Sequence, residues 1–205
     1  MLFAGCKKLA SISIPGSVTS IGEGAFWGCG NLTSVTIPGS VAVIDERVFS
    51  QCDNLADVMI EEGVQVIKWG AFQECGNLKN VSIPNSVKAI DCKVFRDCVS
   101  LTSITIPAGV ALIKDGAFEG CTGLTSITLK GTPNMEYSVF RNCYAVTSIH
   151  CNSIIPPPVD YDIFYTNKVA VNIYNAAKLY VPVGSIDNYK NDKSDWKRFI
   201  NVVEE

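Results

Sequence analysis

The chain has 205 residues, of which 47% are hydrophobic and 18% are charged, and its formal net charge is −3. A chain of this length and apolar content can bury a sizeable core in one elongated body. Its weak negative charge does not favour binding to nucleic acid or to an anionic membrane. No stretch approaches the ~18 consecutive apolar residues of a membrane span.

A phenylalanine followed three residues later by a cysteine recurs along the chain. Successive phenylalanines are 23 residues apart, except for the last pair, which are 22 apart. The seven pairs are Phe3 and Cys6, Phe26 and Cys29, Phe49 and Cys52, Phe72 and Cys75, Phe95 and Cys98, Phe118 and Cys121, and Phe140 and Cys143. So strict a period, within the roughly 20–29 residues of leucine-rich repeats, predicts a solenoid in which each coil contacts only its neighbours.

Each repeat unit contains the pattern of a half-buried strand. In the second unit, Ser34–Ile37 alternates polar residues with β-branched apolar residues, which predicts a strand with one buried face. Pro38 ends this strand, because proline removes an amide donor. A second short extended piece follows at Val41–Ile44, and the segment with the phenylalanine then returns as irregular or single-turn helical structure. Stacked coils would join these strands into a parallel sheet that runs the length of the solenoid.

The period fails after residue 151. Prolines 156–158 impose an extended linker, and Lys178–Val183 is predicted to be a last strand. Ser185 is expected to cap a short helix, and a second helical turn near Trp196–Phe199 would lay its aromatic side chains over the open end of the core.

We therefore expect two parts. Residues 1–151 form a leucine-rich repeat array of about seven units, and residues 152–205 form a linker and a C-terminal capping region. The form of residues 161–174 is not predicted by their pattern.

The repeat unit has a recognisable consensus. It reads Leu-Thr-Ser-Ile-Thr-Ile-Pro, then Ser-Val-x-x-Ile, then Gly-Ala-Phe-x-x-Cys. This form resembles the leucine-rich repeats of BspA-like bacterial surface proteins over residues 3 to about 151. The tail from Leu179 resembles the closing segment of Bacteroides members of that family.

The resemblance implies an α/β, strand-dominated leucine-rich-repeat solenoid, a right-handed superhelix with a parallel sheet along one face and a C-terminal cap. It also implies a secreted or cell-surface binding protein that is not an enzyme and needs no cofactor. The resemblance suggests proteins of the host extracellular matrix, or other cells, as targets, and the residues do not decide between them.

The first residues offer two interpretations. Leu2–Cys6 looks like a lipoprotein cleavage box, but the same residues belong to the repeat column and no signal sequence precedes them. We expect the chain to begin inside a repeat, with an export signal and further coils upstream. The strand edge of this uncapped first coil would then pair with missing repeats, or edge to edge with another copy of the chain.

The nine cysteines are not expected to form disulfides. Equivalent side chains of stacked coils project in parallel about 4.7–4.9 Å apart, which exceeds the ~3.8 Å between Cβ atoms that a disulfide prefers. One sulfur per coil cannot surround a tetrahedral zinc ion either. We predict a column of free, buried thiols that act as small hydrophobes. Cys151 takes a core position, and Cys92, in a surface column, is expected to react first with solvent.

The sequence contains no catalytic constellation. The single histidine, His150, occupies an outward strand position, and its repeat-mates offer no orienting carboxylate. Glu61 and Glu62 replace a Pro-Gly turn and would be the candidates for a paired-carboxylate site, but as neighbours in a turn they are expected to point into water. No glycine-rich phosphate loop or Cys-x-x-Cys motif occurs.

The outward strand positions form a broad face of serine and threonine with almost no charge. This composition either keeps a sheet face soluble or provides a hydrogen-bonding platform. The third and fourth units interrupt it with charged and apolar residues, and a nearby exposed tryptophan would be a common kind of interface anchor. The candidate partner-binding residues are Asp57, Met59, Glu61, Glu62, Trp69, Lys79, Asn80 and Ser82. For Trp69, packing against its own turn is the alternative.

We predict a non-catalytic adhesion or recognition module that binds a protein or a glycan through the sheet face and the flanking turns. The alternative is a structural spacer that displays another domain and whose serine and threonine face is only solvated.

Overall fold

The structure, a computed structural model, describes residues 2–160, 162–166 and 172–205. Its strands in chain order are β1 (Ser34–Ile37), β2 (Val43–Ile44), β3 (Asp57–Ile60), β4 (Val66–Ile67), β5 (Asn80–Ser82), β6 (Ala89–Ile90), β7 (Ser103–Ile106), β8 (Leu112–Ile113), β9 (Ser126–Leu129), β10 (Asn134–Met135), β11 (Ser148–Cys151), β12 (Lys178–Val181) and β13 (Asn201–Glu204). The helices are α1 (Ile173–Ala176), α2 (Ile186–Lys190) and a 3-10 helix (Asp195–Arg198). This order confirms the predicted strand-dominated solenoid. None of these helices is long and apolar enough to cross a bilayer.

Each coil of the repeat array has three sides. One side contributes the longer strands, which we call the main sheet, and the next contributes the two-residue strands of a second sheet, in the order β10-β8-β6-β4-β2. Within each sheet neighbouring strands run parallel, and each residue pairs with the equivalent residue of the next repeat. Ser34 pairs with Asp57, and Val43 pairs with Val66. The third side, which we call the phenylalanine side, carries the Phe-x-x-Cys segments as irregular structure.

A ladder of backbone hydrogen bonds joins successive coils on the phenylalanine side. The N–H of Phe49 donates to the carbonyl oxygen of Ala71 at 2.8 Å, and the N–H of Phe72 donates to that of Val94 at 2.9 Å. Equivalent bonds continue through Phe118. The irregular segments therefore satisfy their backbone as a sheet would, although their dihedral angles are not those of strands.

From Phe26 to Phe140, left-handed residues on both sides of each repeat phenylalanine shape this turn. Around Phe49 they are Arg47, with φ of 52°, and Gln51, with φ of 58°. The turn points the phenylalanine ring into the core, where the rings form one continuous stack. The centroid of Phe72 lies 5.5 Å from that of Phe49 and 5.4 Å from that of Phe95, and the ring planes are nearly parallel.

The main sheet is interrupted between β5 and β7. It consists of a three-stranded part, β1-β3-β5, and a five-stranded part, β13-β12-β11-β9-β7. In a paired coil the N–H of Ser126 donates to the carbonyl oxygen of Thr102 at 3.3 Å, whereas the equivalent N–H of Ser103 makes no backbone hydrogen bond to Lys79 within the described residues. The prediction of one sheet along the whole length is wrong at this point.

The two coils that flank the interruption stay in register through their other two sides. In the second sheet Ala89 of β6 pairs with Leu112 of β8, and on the phenylalanine side the N–H of Phe95 donates to the carbonyl oxygen of Ala117 at 2.8 Å. Two intact sides are enough to hold a coil, so the main sheet can open here without separating the stack.

All nine cysteines are free, as predicted. The thiols of the repeat column also donate hydrogen bonds, which the interpretation as small hydrophobes had missed. The Sγ of Cys75 lies 3.1 Å from the carbonyl oxygen of Phe49 in the preceding coil, and burial raises the pKa of the Cys75 thiol well above its usual range. Cys151 is buried as predicted, but Cys6 is exposed whereas Cys92 is only partly accessible. Cys6, not Cys92, is therefore the most accessible thiol.

An eighth ring extends the phenylalanine stack beyond the seven repeats. The ring of Phe164 stacks on that of Phe140 with centroids 5.4 Å apart, and the N–H of Phe140 donates to the carbonyl oxygen of Ile163 at 2.8 Å. The sequence pattern did not reveal this ring, because the spacing changes to 24 residues and no cysteine follows three residues later. Residues 161 and 167–171 lie outside the described residues.

The C-terminal residues cover the end of the core. Ser185 occupies the N-cap position of α2, but its hydroxyl donates to the carbonyl oxygen of Pro182 at 2.6 Å and does not cap the helix. The side chains of Trp196 and Phe199 are buried, as predicted, and that of Tyr189 is buried beside them. Hydrogen bonds attach this cap to the proline-rich segment: the indole N–H of Trp196 donates to the carbonyl oxygen of Pro157 at 2.7 Å. The last strand, β13, pairs with β12 and had no signature in the sequence.

We predict that Phe72→Ala lowers the free energy of unfolding by about 3–5 kcal/mol, because it removes a fully buried ring that stacks on both neighbours. Urea denaturation followed by circular dichroism measures the loss. The matched control is Phe3→Ala, since Phe3 is only partly buried and stacks on Phe26 alone, and it should cost clearly less. A loss below about 1 kcal/mol at Phe72 would contradict the stacked core.

We also predict an order of thiol reactivity. Under native conditions a water-soluble disulfide reagent should modify Cys6 first and Cys92 more slowly, while the buried thiols react only at the rate of unfolding, because thiolate formation there is suppressed. Mass spectrometry of digested protein at successive times identifies the modified residue. Rapid labelling of Cys75 or Cys98 in the folded protein would show that the column is accessible.

Candidate binding surface

The main sheet brings five of the eight candidate residues together. Asp57 and Met59 belong to β3, Asn80 and Ser82 belong to β5, and Lys79 directly precedes β5. All five line one depression of about 470 Å³. The other polar side chains that line it are Ser34, Thr36, Ser103 and Thr105.

The strand alternation decides which of these side chains face solvent. On β3 the side chains of Val58 and Ile60 are each 3% exposed, whereas Met59 is 56% exposed. Beside it, the side-chain amide of Asn80 donates to Oδ1 of Asp57 at 2.7 Å. The surface therefore presents one exposed, apolar thioether, of a residue type that is flexible, among hydroxyl and amide groups.

This depression spans the interruption of the main sheet, since its lining includes residues of both β5 and β7. Facing backbone groups of these two strands are not paired with each other in the described structure. Unpaired strand edges are ready hydrogen-bonding partners for another chain. Sequence reasoning missed this feature, because the strand patterns of the two units look alike.

Glu61 and Glu62 lie in the turn beside this surface and bind neighbouring coils. A carboxylate oxygen of Glu61 accepts from the N–H of Gly39 at 3.2 Å. The carboxylate of Glu62 accepts from the N–H groups of Asn85 and Ser86 at 2.9 and 3.0 Å, and these bonds hold the pKa of Glu62 below its usual range. The expectation that both carboxylates only point into water is therefore wrong: each bridges adjacent turns.

The close approach of these turns explains why residue 39 is a glycine. A Cβ on Gly39 would collide with the backbone carbonyl oxygen of Glu62. The two coils can therefore come this close only where the residue has no side chain.

Trp69 lies on the phenylalanine side, away from the sheet-face residues. The guanidinium of Arg47, in the preceding coil, covers its ring with 4.3 Å between the guanidinium carbon and the ring centroid. Trp69 lines a different depression, of about 400 Å³. The sequence placed it in the same repeats as Met59, but the repeat column alone did not show that the two side chains belong to different sides.

His150 has a partner that the sequence did not indicate. Its Nδ1 lies 2.7 Å from Oε1 of Glu205, which directly follows β13, and its ring stacks on Tyr180 with centroids 4.4 Å apart. Because Glu205 is 55 residues from His150 in the sequence, no local sequence pattern could indicate this pair. This pair fastens the last strand to the sheet, and it lies far along the solenoid from β3. Among the described residues no group of three or more His, Cys, Asp or Glu side chains could hold a metal ion.

Comparisons with known proteins agree with this geometry. The family model of the BspA type leucine rich repeat region matches residues 1–101 and 88–176, with six copies. No curated protein sequence matches the chain significantly.

Two solved structures are similar over most of the chain. A leucine-rich repeat protein from T. pallidum has 26% identity and a TM-score of 0.66, and the match covers 77% of this chain and 73% of that protein. The pneumococcal vaccine antigen PcpA has 18% identity and a TM-score of 0.63, and the match covers 86% of this chain and 42% of that protein. With the repeat period, the stacked coils and the family model in agreement, the chain belongs to the BspA-type leucine-rich repeat family.

Proposed function

We propose that this protein is a non-catalytic recognition module that binds a protein partner through the main sheet around Met59. The observation that carries the proposal is the exposed thioether of Met59 in a depression that is also lined by β5 and β7, two strands that are not paired with each other. Methionine adapts its shape to a partner, and free strand edges offer backbone hydrogen bonds. Leucine-rich-repeat proteins are typically non-enzymatic, which supports the binding role.

The size of the sheet indicates that the flanking turns take part. The two parts of the main sheet have three and five strands. Eight strands of about four residues give a flat area of roughly 500 Å², which is below the roughly 800 Å² per partner of a stable interface. The turn with Glu61 and Glu62 adjoins the depression, and its carboxylates are already fixed by neighbouring coils. Lys79, Asn80 and Ser82 line the depression itself and belong to the same contact.

We also propose that the protein acts outside the cell, secreted or displayed at the surface. Membership of the BspA-type family supports this location. The chemistry of the cysteine column is compatible with an oxidising environment, because burial raises the pKa of these thiols and keeps them unreactive. Host extracellular matrix is the class of partner to test first. Adhesion follows from this proposal if such a partner is bound tightly enough to retain cells.

The proposal predicts that Met59→Ala weakens binding to a partner by about 2 kcal/mol or more, roughly 30-fold in Kd. Purified extracellular matrix proteins and mucin glycans are immobilised, and retention of the protein is compared with that of an unrelated repeat protein. The affinity for a retained protein is then measured for each variant by calorimetry, together with a melting curve.

The matched control is Thr128→Ala, because Thr128 occupies the equivalent outward position of β9, two coils away from Ser82. It should leave the affinity unchanged. Equal affinity of the Met59→Ala protein and the original protein would remove this surface from consideration. Retention by none of the immobilised molecules would favour the structural spacer.

A further inference from the structure

Two tryptophans from different coils meet on the phenylalanine side. Trp27 and Trp69 line the same depression of about 400 Å³, and between them lie Arg47 and Ser50 of the intervening coil. Trp27 is 40% exposed. In the other coils the same two columns carry charged or small side chains, a glutamine or a tyrosine, and the third tryptophan of the sequence, Trp196, lies in the cap, so two indole rings line one depression only in these coils.

Planar polar side chains form the floor of this depression. The side-chain amide of Gln51 donates to one carboxylate oxygen of Glu74, and that of Gln73 donates to the other, both at 2.9 Å. Each glutamine has two amide hydrogens and two acceptor lone pairs. These two hydrogen bonds join the side chains of Gln51, Glu74 and Gln73 into one network. The two glutamine side chains retain donors and acceptors that can be directed at a ligand.

The depression continues into a second one. Trp27, Gln51 and Glu74 also line a neighbouring depression of about 780 Å³, which extends past Asn31 and Asn54. The side-chain amide of Asn54 donates to Oδ1 of Asn31 at 3.3 Å, and the next asparagine of the column repeats this bond to Asn54. The groove is therefore a row of amide groups with an indole ring in its middle and another at its end.

The charges in the groove argue against an ionic ligand. The charged side chains that line its two depressions are Lys7, Arg47, Asp53 and Glu74, so two positive charges balance two negative ones. The guanidinium of Arg47 already covers Trp69, so no open aromatic cage is left there for a cation. Both oxygens of Glu74 already accept hydrogen bonds, and its charge disfavours an anion. A neutral ligand with many hydroxyl groups and an apolar face fits both the aromatic rings and the amides.

We propose that this groove, which we call the tryptophan groove, binds a neutral oligosaccharide. A sugar ring has an apolar C–H face that packs on an indole ring, and its hydroxyl rim matches the donors and acceptors of Gln51, Gln73 and Asn54. The two tryptophans belong to coils two steps apart in the phenylalanine stack, with steps of 5.2 and 5.5 Å. A ligand that packs on the exposed ring of Trp27 and reaches as far as Trp69, whose ring Arg47 covers, spans more than one sugar ring. This site is independent of the main-sheet surface.

The test begins with an array of immobilised neutral and acidic glycans, followed by titration with neutral tetrasaccharides of glucose, mannose and N-acetylglucosamine. Trp27 is exposed and should shift its fluorescence emission to shorter wavelength when a sugar ring covers it. Trp196, the third tryptophan, is buried in the cap and provides a constant background. We expect saturable binding of at least one neutral tetrasaccharide.

The central variant is Trp27→Ala, which should weaken this binding roughly tenfold or more, because it removes the ring shared by both depressions. The matched control is Tyr137→Ala, because Tyr137 is an exposed aromatic residue in the same column as Trp69, allowing for the short repeat, but outside the groove. Met59→Ala is the second control and separates this site from the main sheet. Both controls should bind the tetrasaccharide as the original protein does.

Three results would overturn the proposal. They are no binding of any neutral glycan at millimolar concentration, binding of acidic glycans alone, and unchanged affinity in a Trp27→Ala protein whose melting curve is normal. If Trp27→Ala unfolds the protein, Asn54→Ala tests the other end of the groove, because its exposed side chain lies outside the core. Asn54→Ala should then weaken binding at least several-fold, and unchanged affinity would be equally decisive.

Discussion

The structure depends on the backbone hydrogen-bond ladder of the phenylalanine side. In every coil the N–H of the phenylalanine reaches the carbonyl oxygen of the residue before the next phenylalanine. This bond fixes the spacing at which the rings stack, 5.2–5.5 Å between centroids. The cysteine thiol of the next coil then binds the phenylalanine carbonyl oxygen from the other side. The Phe-x-x-Cys segments thus make backbone hydrogen bonds between coils as regularly as the strands of the two sheets do.

This ladder also explains how the surface can vary. Because two sides hold each coil, the main sheet can open between β5 and β7 while the coils stay in register. The opening leaves β5 and β7 unpaired with each other in the depression that Met59 also lines. The phenylalanine side presents the indole rings of Trp27 and Trp69 in one groove. The two proposed binding sites therefore belong to different sides of one rigid stack.

The repeat period in the sequence was enough to predict the solenoid, the buried phenylalanines and the free thiols, because a strict period forces equivalent residues into equivalent positions. It assigned Cys151 correctly to the core. It did not reveal Phe164, whose spacing departs from the period, or β13, whose four residues carry no pattern.

For the candidate sites the sequence identified the unusual repeats but not their geometry. Met59 and Trp69 are ten residues apart and lie on different sides, because the chain passes from the main sheet through the second sheet between them. Glu62 binds backbone amides 23 and 24 residues away, and His150 binds a carboxylate at the end of the chain. Contacts between elements that are distant in sequence, and the opening of the main sheet, follow from packing that no local pattern encodes.

The central claim is that the phenylalanine ladder holds the coils together where the main sheet is open. Native-state hydrogen exchange of individual amides measured by NMR tests it. The amides of Phe95 and Phe118 should exchange only through global unfolding, whereas that of Ser103 should exchange much faster than the equivalent, bonded amide of Ser126. Exchange of Phe95 as fast as that of Ser103 would contradict the account, because the phenylalanine side would then not hold the two coils together, and only the second sheet would remain to do so.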